Sequence, residues 1–291
     1  MKITNKYGLP QVFVNALESA PYTKGKAHIS VTELINSPRI VQLKRKHYEH
    51  LEEDVADRVF ALFGTAVHLI LEQGQEEGSI VEERLHLDMD GWHISGGIDY
   101  QRMGENGVII QDYKATGVWG VMYDKIEWEQ QLNIYAYLVR KVKKLPVQEL
   151  SIVAIIKDWS RRDAEIRENY PQAPVAVIPI NLWDESDQER FIKDRIQLHS
   201  NAHLATEMGE DYQFCTPSEM WETKTVYAVR KIGNVRAKAL CATTEEAEEK
   251  LESLGKGYEI EVRKGERKRC KDYCQVSKFC NQYQNYLKGE L

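Results

Sequence analysis

Asp99, Asp112 and Lys114 are the residues of this chain whose types and spacing could carry chemistry. They fall in GGIDYQRMGENGVIIQDYKAT, residues 96–116. The stretch reads as a β-hairpin with a first strand from Trp92 to Tyr100, a reversal at MGENG and a second strand from Val108 to Lys114. Strand side chains alternate, so Trp92, Ile94 and Ile98 point one way and His93, Ser95, Gly97 and Asp99 the other. On the second strand Val108, Ile110, Asp112 and Lys114 share a face. Two acids and a lysine are therefore expected to converge at one edge of an otherwise apolar sheet. Burying charge is costly unless it is paired or bound to a metal. Carboxylates meeting at strand ends suit a hard cation such as Mg²⁺, and a lysine beside them would orient a water or neutralise a phosphate. A D-x-K triplet by itself is equally the mark of a surface ion pair, worth little, so the elements around it decide.

Those elements can be read in outline. Residues 1–26 carry little periodic signal and are expected to drape over the surface. Ser30-Val-Thr-Glu33 is a capping box opening a short helix, and Pro38 begins another that runs into Lys44 to His47. A third covers about Asp54 to Gln73, with Val59, Leu62, Phe63, Ala66, Leu69 and Ile70 forming an apolar stripe. Gly64 lowers the stability of that helix relative to alanine, which calls for close approach of another backbone or of DNA. His68 lies one turn later, with Glu72 as its expected partner. A strand from Ile80 to Asp88 carries Glu82 and Glu83 near its start. After the hairpin, a helix from about Glu127 to Lys143 places Gln131 and Tyr135 on one face. The pair reads either as surface residues with Tyr135 half-buried or as a polar pair facing a nucleic-acid groove. Ser151 to Lys157 reads as a buried strand, Arg161 to Tyr170 as a charged loop, Val175 to Leu182 as an edge strand because of Pro179, and Asp184 to Ala205 as a long helix. The series predicts an α/β layered core around a mixed sheet of about five strands. Short strands and a capped helix from Thr244 to Leu254 then form a small α+β appendage, ending in Cys270-x₃-Cys274-x₅-Cys280.

Composition narrows the class. The chain has 291 residues, of which 42% are hydrophobic, enough for a sizeable core. No apolar run nears the ~18 residues of a membrane span, and MKITNKYGLPQVF lacks the apolar centre of a signal peptide, so a cytoplasmic protein is expected. A net charge of −6 excludes a bulk basic surface, so any nucleic-acid binding must use local patches. Lys44 to Lys46, Arg140 to Lys144, Arg161-Arg162 and Arg263 to Arg269 are such patches, each also readable as a solvated face. Five cysteines in a cytosolic chain point away from structural disulfides and toward metal.

The ordered set G-x-x-x-H (Gly64, His68), G-G-I-D (Asp99), D-Y-K (Asp112, Tyr113, Lys114) and Q-x-x-x-Y (Gln131, Tyr135) resembles the RecB-like branch of the PD-(D/E)xK nuclease superfamily, over roughly residues 30 to 205. The resemblance implies a restriction-endonuclease-like core: a central mixed β-sheet flanked by helices. It implies that His68, Asp99 and Asp112 bind Mg²⁺ or Mn²⁺, together with the backbone carbonyl of Tyr113. By the same likeness Lys114 orients or activates the attacking water, and Gln131 and Tyr135 support the site and contact DNA. Glu82 or Glu83 stands as a further outer acid. Three segments are expected: 1–60 helical, 61–206 the nuclease core, and 207–291 the appendage with its cysteine-containing tail.

Iron–sulfur members of that family place one cysteine before the G-x-x-x-H helix and three near the C-terminus, spaced C-x₂-C-x₅-C. Here no cysteine precedes His68, and the spacing is C-x₃-C-x₅-C. Cys215 is the candidate fourth ligand beside Cys270, Cys274 and Cys280. A 4Fe–4S cluster, a Zn²⁺ ion, or thiols packed without metal all remain open.

The resemblance implies a metal-dependent DNA exonuclease of recombination, repair or phage replication, acting in the host cytoplasm if phage-encoded. A single-strand annealing protein or a helicase is the expected partner; the chain carries no G-x-x-x-x-G-K-[ST] motif of its own. The alternatives are a structure-specific or nicking endonuclease on the same fold, and a non-catalytic DNA-binding subunit, against which retention of Asp112 and Lys114 speaks.

Overall fold

The structure is a computed structural model that describes residues 1–19, 25–74, 76–123 and 125–290. The chain divides into two compact units, Met1–Tyr212 and Gln213–Leu291. The first contains β1 (Lys2–Thr4), α1 (Gln11–Ser19), β2 (Ile29–Ser30), α2 (Val31–Leu34), α3 (Pro38–Lys46), β3 (Glu52–Asp54) and α4 (Val55–Glu72). The hairpin strands follow as β4 (Ser79–Met89), β5 (Trp92–Met103) and β6 (Val108–Thr116). Next come α5 (Trp119–Met122), α6 (Ile126–Leu138), β7 (Val147–Ile156), α7 (Arg161–Ile166), β8 (Val175–Ile180) and α8 (Glu185–Met208). No helix among the described residues is long and apolar enough to cross a membrane.

Six strands form the central sheet, in the order β2-β5-β6-β7-β8 with β4 on the other side of β5. It is mixed: β6 and β7 run parallel across the α6 connection, while β4·β5, β5·β6 and β7·β8 are antiparallel. β8, with Pro179, lies at one edge. The sixth strand beyond the expected five is β2, whose two residues are too short for any periodicity to reveal.

β2 and β6 use different lengths of β5. β6 pairs with Tyr100–Met103 and β2 with Ile94–Ser95, so residues 96–99 lie between the two ladders. The core lies under this sheet, where Ile94, Ile98, Ile110, Leu150 and Ile152 meet Leu132, Ile134 and Leu138 of α6 and Ile192 and Ile196 of α8. Gly96 permits that packing. A Cβ there would stand 2.8 Å from Leu138 Cδ1, 2.9 Å from Tyr135 Cε1 and 3.0 Å from Val31 Cγ2.

Several expectations need correction. The N-terminal segment is structured: β1 pairs in parallel with β3, and α1 follows, while 20–24 lie outside the described residues. Arg161 to Tyr170 is not wholly loop, because Ser160 caps α7 by accepting from Asp163 N–H. The α-helix begun near Glu127 stops at Leu138 and continues as a π-helical turn, Val139–Lys143, closed by left-handed Lys144. α4 spans the expected residues, but of its apolar stripe Phe63, Leu69 and Ile70 are exposed. Periodicity gives a helix an apolar face; it does not oblige the rest of the chain to cover it. Among the described residues nothing outside the helix lies within 4 Å of a Cβ built on Gly64, so none of their backbone explains that glycine.

The second unit holds β9 (Val226–Lys231), β10 (Ala237–Cys241), α9 (Thr244–Leu254), β11 (Tyr258–Arg263) and α10 (Asn281–Lys288). Its three strands form an antiparallel sheet in the order β10-β9-β11. Thr243 caps α9 through Glu246 N–H, and Ala247 on that helix is buried.

Candidate metal centre

The site lies where β5 and β6 part. The β6 ladder ends at Tyr100–Gln111, and on the other side β4 pairs Val81 with Tyr100 and Glu83 with Ile98, so both registers skip Asp99. Beyond that point the side chain of Asp99 takes over from backbone. Its Oδ2 accepts from Tyr113 N–H at 2.7 Å.

Glu82 falls at the same break, between the paired Val81 and Glu83, with φ of +50°. The left-handed region is unfavourable for a glutamate by about 1–2 kcal/mol, and such outliers tend to collect at functional sites. The break separates the two glutamates that sequence left as alternatives. Glu82 Oε1 lies 3.2 Å from His68 Nδ1. Glu83 instead pairs with Lys143 Nζ at 2.7 Å and accepts from Gln101 Nε2 at 2.8 Å. The partner of His68 is thus Glu82 across the sheet rather than Glu72 along the helix.

His68 Nδ1 is also 3.7 Å from Asp99 Oδ1. Potential ligand atoms of His68, Glu82 and Asp99 all lie within 4.8 Å of one another, the one such group found among the described residues. The Tyr113 ring meets the His68 imidazole edge-on at 6.0 Å.

Asp112 projects from β6 with 1% of its side chain exposed. Its Oδ1 accepts from Gln131 Nε2 at 3.1 Å, and Gln131 Nε2 also donates to Tyr135 Oη at 2.7 Å. Both α6 residues are buried, so the structure places them behind Asp112 rather than on a surface. Asp112 Oδ2 is buried without a hydrogen bond of good geometry, although Lys114 Nζ is 2.5 Å away. The carboxylate is thus shared between the Gln131 amide and the Lys114 ammonium, beside the His68, Glu82 and Asp99 cluster.

Electrostatics point the same way. Burial, and secondly the charge of Asp112, push Asp99 up to about 7. The hydrogen bond to Glu82, reinforced by Asp99 and Asp112, raises His68 against the opposing effect of burial. The cluster gathers more negative charge than its protein partners neutralise, and a divalent cation would relieve it.

The four cysteines singled out in sequence all lie in the second unit: Cys215 and Cys280 buried, Cys270 and Cys274 half-buried, all as thiols. Burial, and then the proximity of Cys274 and Cys280, push Cys270 up to about 11. No three of them meet the 4.8 Å convergence that His68, Glu82 and Asp99 do. Cys215 is held by Gln282, which accepts from its N–H at 2.8 Å and donates to its carbonyl at 2.9 Å.

No curated protein sequence matches this chain. Among solved structures, the crystal structure of SSO0001 is similar over 65% of this chain and 83% of its own, with a TM-score of 0.43 and 21% sequence identity. The family model of the PD-(D/E)XK nuclease superfamily matches residues 75–281, a range that starts after His68 and takes in both aspartates, Lys114, the α6 pair and the C-terminal cysteines. That match extends over most of the sequence, and the chain therefore belongs to the PD-(D/E)XK nuclease superfamily, whose nucleases use divalent metals.

Proposed function

We propose that this nuclease degrades DNA from an end, as an exonuclease of recombination, repair or phage replication. One observation carries the reading: His68, Glu82 and Asp99 converge beside a buried Asp112 that is paired with Lys114. The RecB-like order of the motifs supports the finer assignment to exonucleases, and a single-strand annealing protein or a helicase is the partner such an enzyme would work beside.

His68, Asp99, Asp112 and the Tyr113 carbonyl would hold Mg²⁺ or Mn²⁺, with Glu82 as an additional acid. Oxygen donors suit both metals, and the imidazole favours Mn²⁺. When bound, the cation supplies an activated water and stabilises charge on the leaving oxygen. Lys114 orients the attacking water and offsets the charge that grows on the phosphoryl oxygens. Gln131 fixes the carboxylate of Asp112, and Tyr135 fixes Gln131.

The test is digestion of end-labelled linear DNA and closed circular DNA, single- and double-stranded, with Mg²⁺ and with Mn²⁺. Loss of linear DNA alone, abolished by Lys114→Ala, is expected, and the label gives the polarity. Cutting of circles would replace this reading with an endonuclease. DNA binding without cleavage of any substrate would replace it with a binding subunit.

We propose that the thiols of Cys215, Cys270, Cys274 and Cys280 hold an iron–sulfur cluster in the second unit, on the resemblance of the C-terminal cysteines to those of iron–sulfur members of the family. Purified protein should carry iron at one or more atoms per chain; metal-free protein of unchanged stability would refute the assignment, and zinc would redirect it.

A further inference from the structure

Beside the metal centre is a group of side chains that the hydrolytic reading leaves unused. The parallel strands β6 and β7 end together, with Lys157 N–H donating to Thr116 O at 2.9 Å. In open α/β sheets the carboxyl ends of the strands are where ligands bind. Lys114 is two residues from the end of β6, and Lys157 directly follows β7.

The turn leaving β6 is fixed, because Val118 N–H donates to Asp158 Oδ1 at 2.7 Å. From it rise Trp119 and Tyr123, one helical turn apart, 61% and 63% exposed. Their rings stack on each other, centroids 5.8 Å apart and 16° from parallel. Two large rings held together in water on an anchored turn form a flat surface with one face still open. A third exposed ring, Phe60, lies under Lys157, whose Nζ is 4.3 Å from its centroid. Phe60, Gly64 and His68 follow each other at four-residue intervals on α4, so Phe60 continues the row that ends at the metal centre.

Lys125 completes the set. Its Nζ is 4.8 Å from the Trp128 centroid and would be 3.1 Å from a Cβ on Gly120, so a side chain at Gly120 would displace it from beside the turn. Burial, together with the charges of Lys114 and Lys157, depresses its pKa against the pull of Glu127. Lys125 and Lys157 thus lie against the Trp128 and Phe60 rings and next to the turn that carries the stacked pair, an arrangement that suits a polyanion with planar rings. Bases in a duplex cover each other's faces; unpaired bases offer theirs.

We propose that Trp119, Tyr123 and Phe60 stack unpaired bases while Lys125 and Lys157 hold the adjoining phosphates, so that the substrate fed to the metal centre is a single-stranded DNA segment. This rests on the nuclease reading and names its substrate class.

The test uses the full chain, fluorescein-labelled (dT)₁₂ and a blunt hairpin duplex, with Ca²⁺ for binding by anisotropy and Mg²⁺ or Mn²⁺ for cleavage. Trp119→Ala/Tyr123→Ala should weaken (dT)₁₂ binding by about ten-fold or more and raise its KM by a similar factor. At saturation kcat should stay close to wild type, and Trp119→Phe should restore most of the affinity. Binding and KM for (dT)₁₂ unchanged in the double variant would overturn the proposal and leave the patch to a protein partner. Equal losses on (dT)₁₂ and the blunt duplex would also overturn it. Absence of cleavage by the wild type would instead refute the nuclease assignment, and the anisotropy comparison would still decide whether these rings bind unpaired bases.

Discussion

Replacing Asp112 with asparagine would keep an oxygen for Gln131 Nε2 while removing the negative charge between Asp99 and Lys114. Metal-dependent cleavage should be lost with the fold kept, because relief of the like charge beside buried Asp99 offsets part of the lost ion pair with Lys114. Near-wild-type turnover would remove Asp112 from the ligand set. Lys114→Ala should act differently. Its role lies in the transition state, so single-turnover rates should fall about 10²–10³-fold while DNA affinity changes little. At this scale the sequence was unevenly informative. Alternation puts Asp112 and Lys114 on one face of β6, and Asp99 was legible as the acid near the end of the preceding strand, though not as the point where the ladders break. Glu82 and Glu83 could not be separated, because the left-handed backbone at Glu82 breaks the very alternation such an inference uses. The stacked pair of Trp119 and Tyr123 had a signal, a four-residue spacing just after the D-Y-K strand, but rings at that spacing are more often packed inward.

Elements position these groups through close contacts that periodicity does not show. Gly96 is the clearest case, since the residue before Gly97-Ile98-Asp99 must be small for α6 to reach the sheet with Gln131 behind Asp112. Gly96→Ala should cost about 1–3 kcal/mol, read as a lowered urea midpoint, and should reduce cleavage further than the stability loss explains by shifting α6. An unchanged midpoint would show that Leu138 and Tyr135 can move aside. The main strands and helices were legible because each is long enough to repeat its pattern. β2 was not, at two residues, and the exposure of α4 was not, because it depends on what else the chain places nearby.

Across the first unit, α8 is tied to α2 by His199, which is fully buried. Its Nε2–H donates to Leu34 O at 3.1 Å, while Nδ1 has no hydrogen-bond partner among the described residues. Burial holds its pKa down at about 4, against an ordinary 6.5. As pH falls below 6.5 the unfolded chain takes up this proton before the folded one does. The resulting stability is complete above 6.5 and is lost progressively toward 4, on the order of 3 kcal/mol in all. His199→Gln, which keeps a donor for Leu34 O, should therefore flatten the dependence of urea stability on pH between 7 and 4. Parallel curves for the two proteins would exclude His199 as the source. Helix periodicity does not distinguish this histidine from His68, which only the G-x-x-x-H motif marks out, and it is the fold that sends one to the core and the other to a cluster of acids.

The parting of β5 from β6 also has a spectroscopic consequence. Because the Tyr113 amide proton ends on the Asp99 carboxylate rather than on a neighbouring strand, its ¹H–¹⁵N resonance senses the charge of that one side chain. It should move as pH passes through about 7 and move again on titration with Mg²⁺. A single backbone signal would then count occupied sites in solution, with no label, no substrate and no turnover.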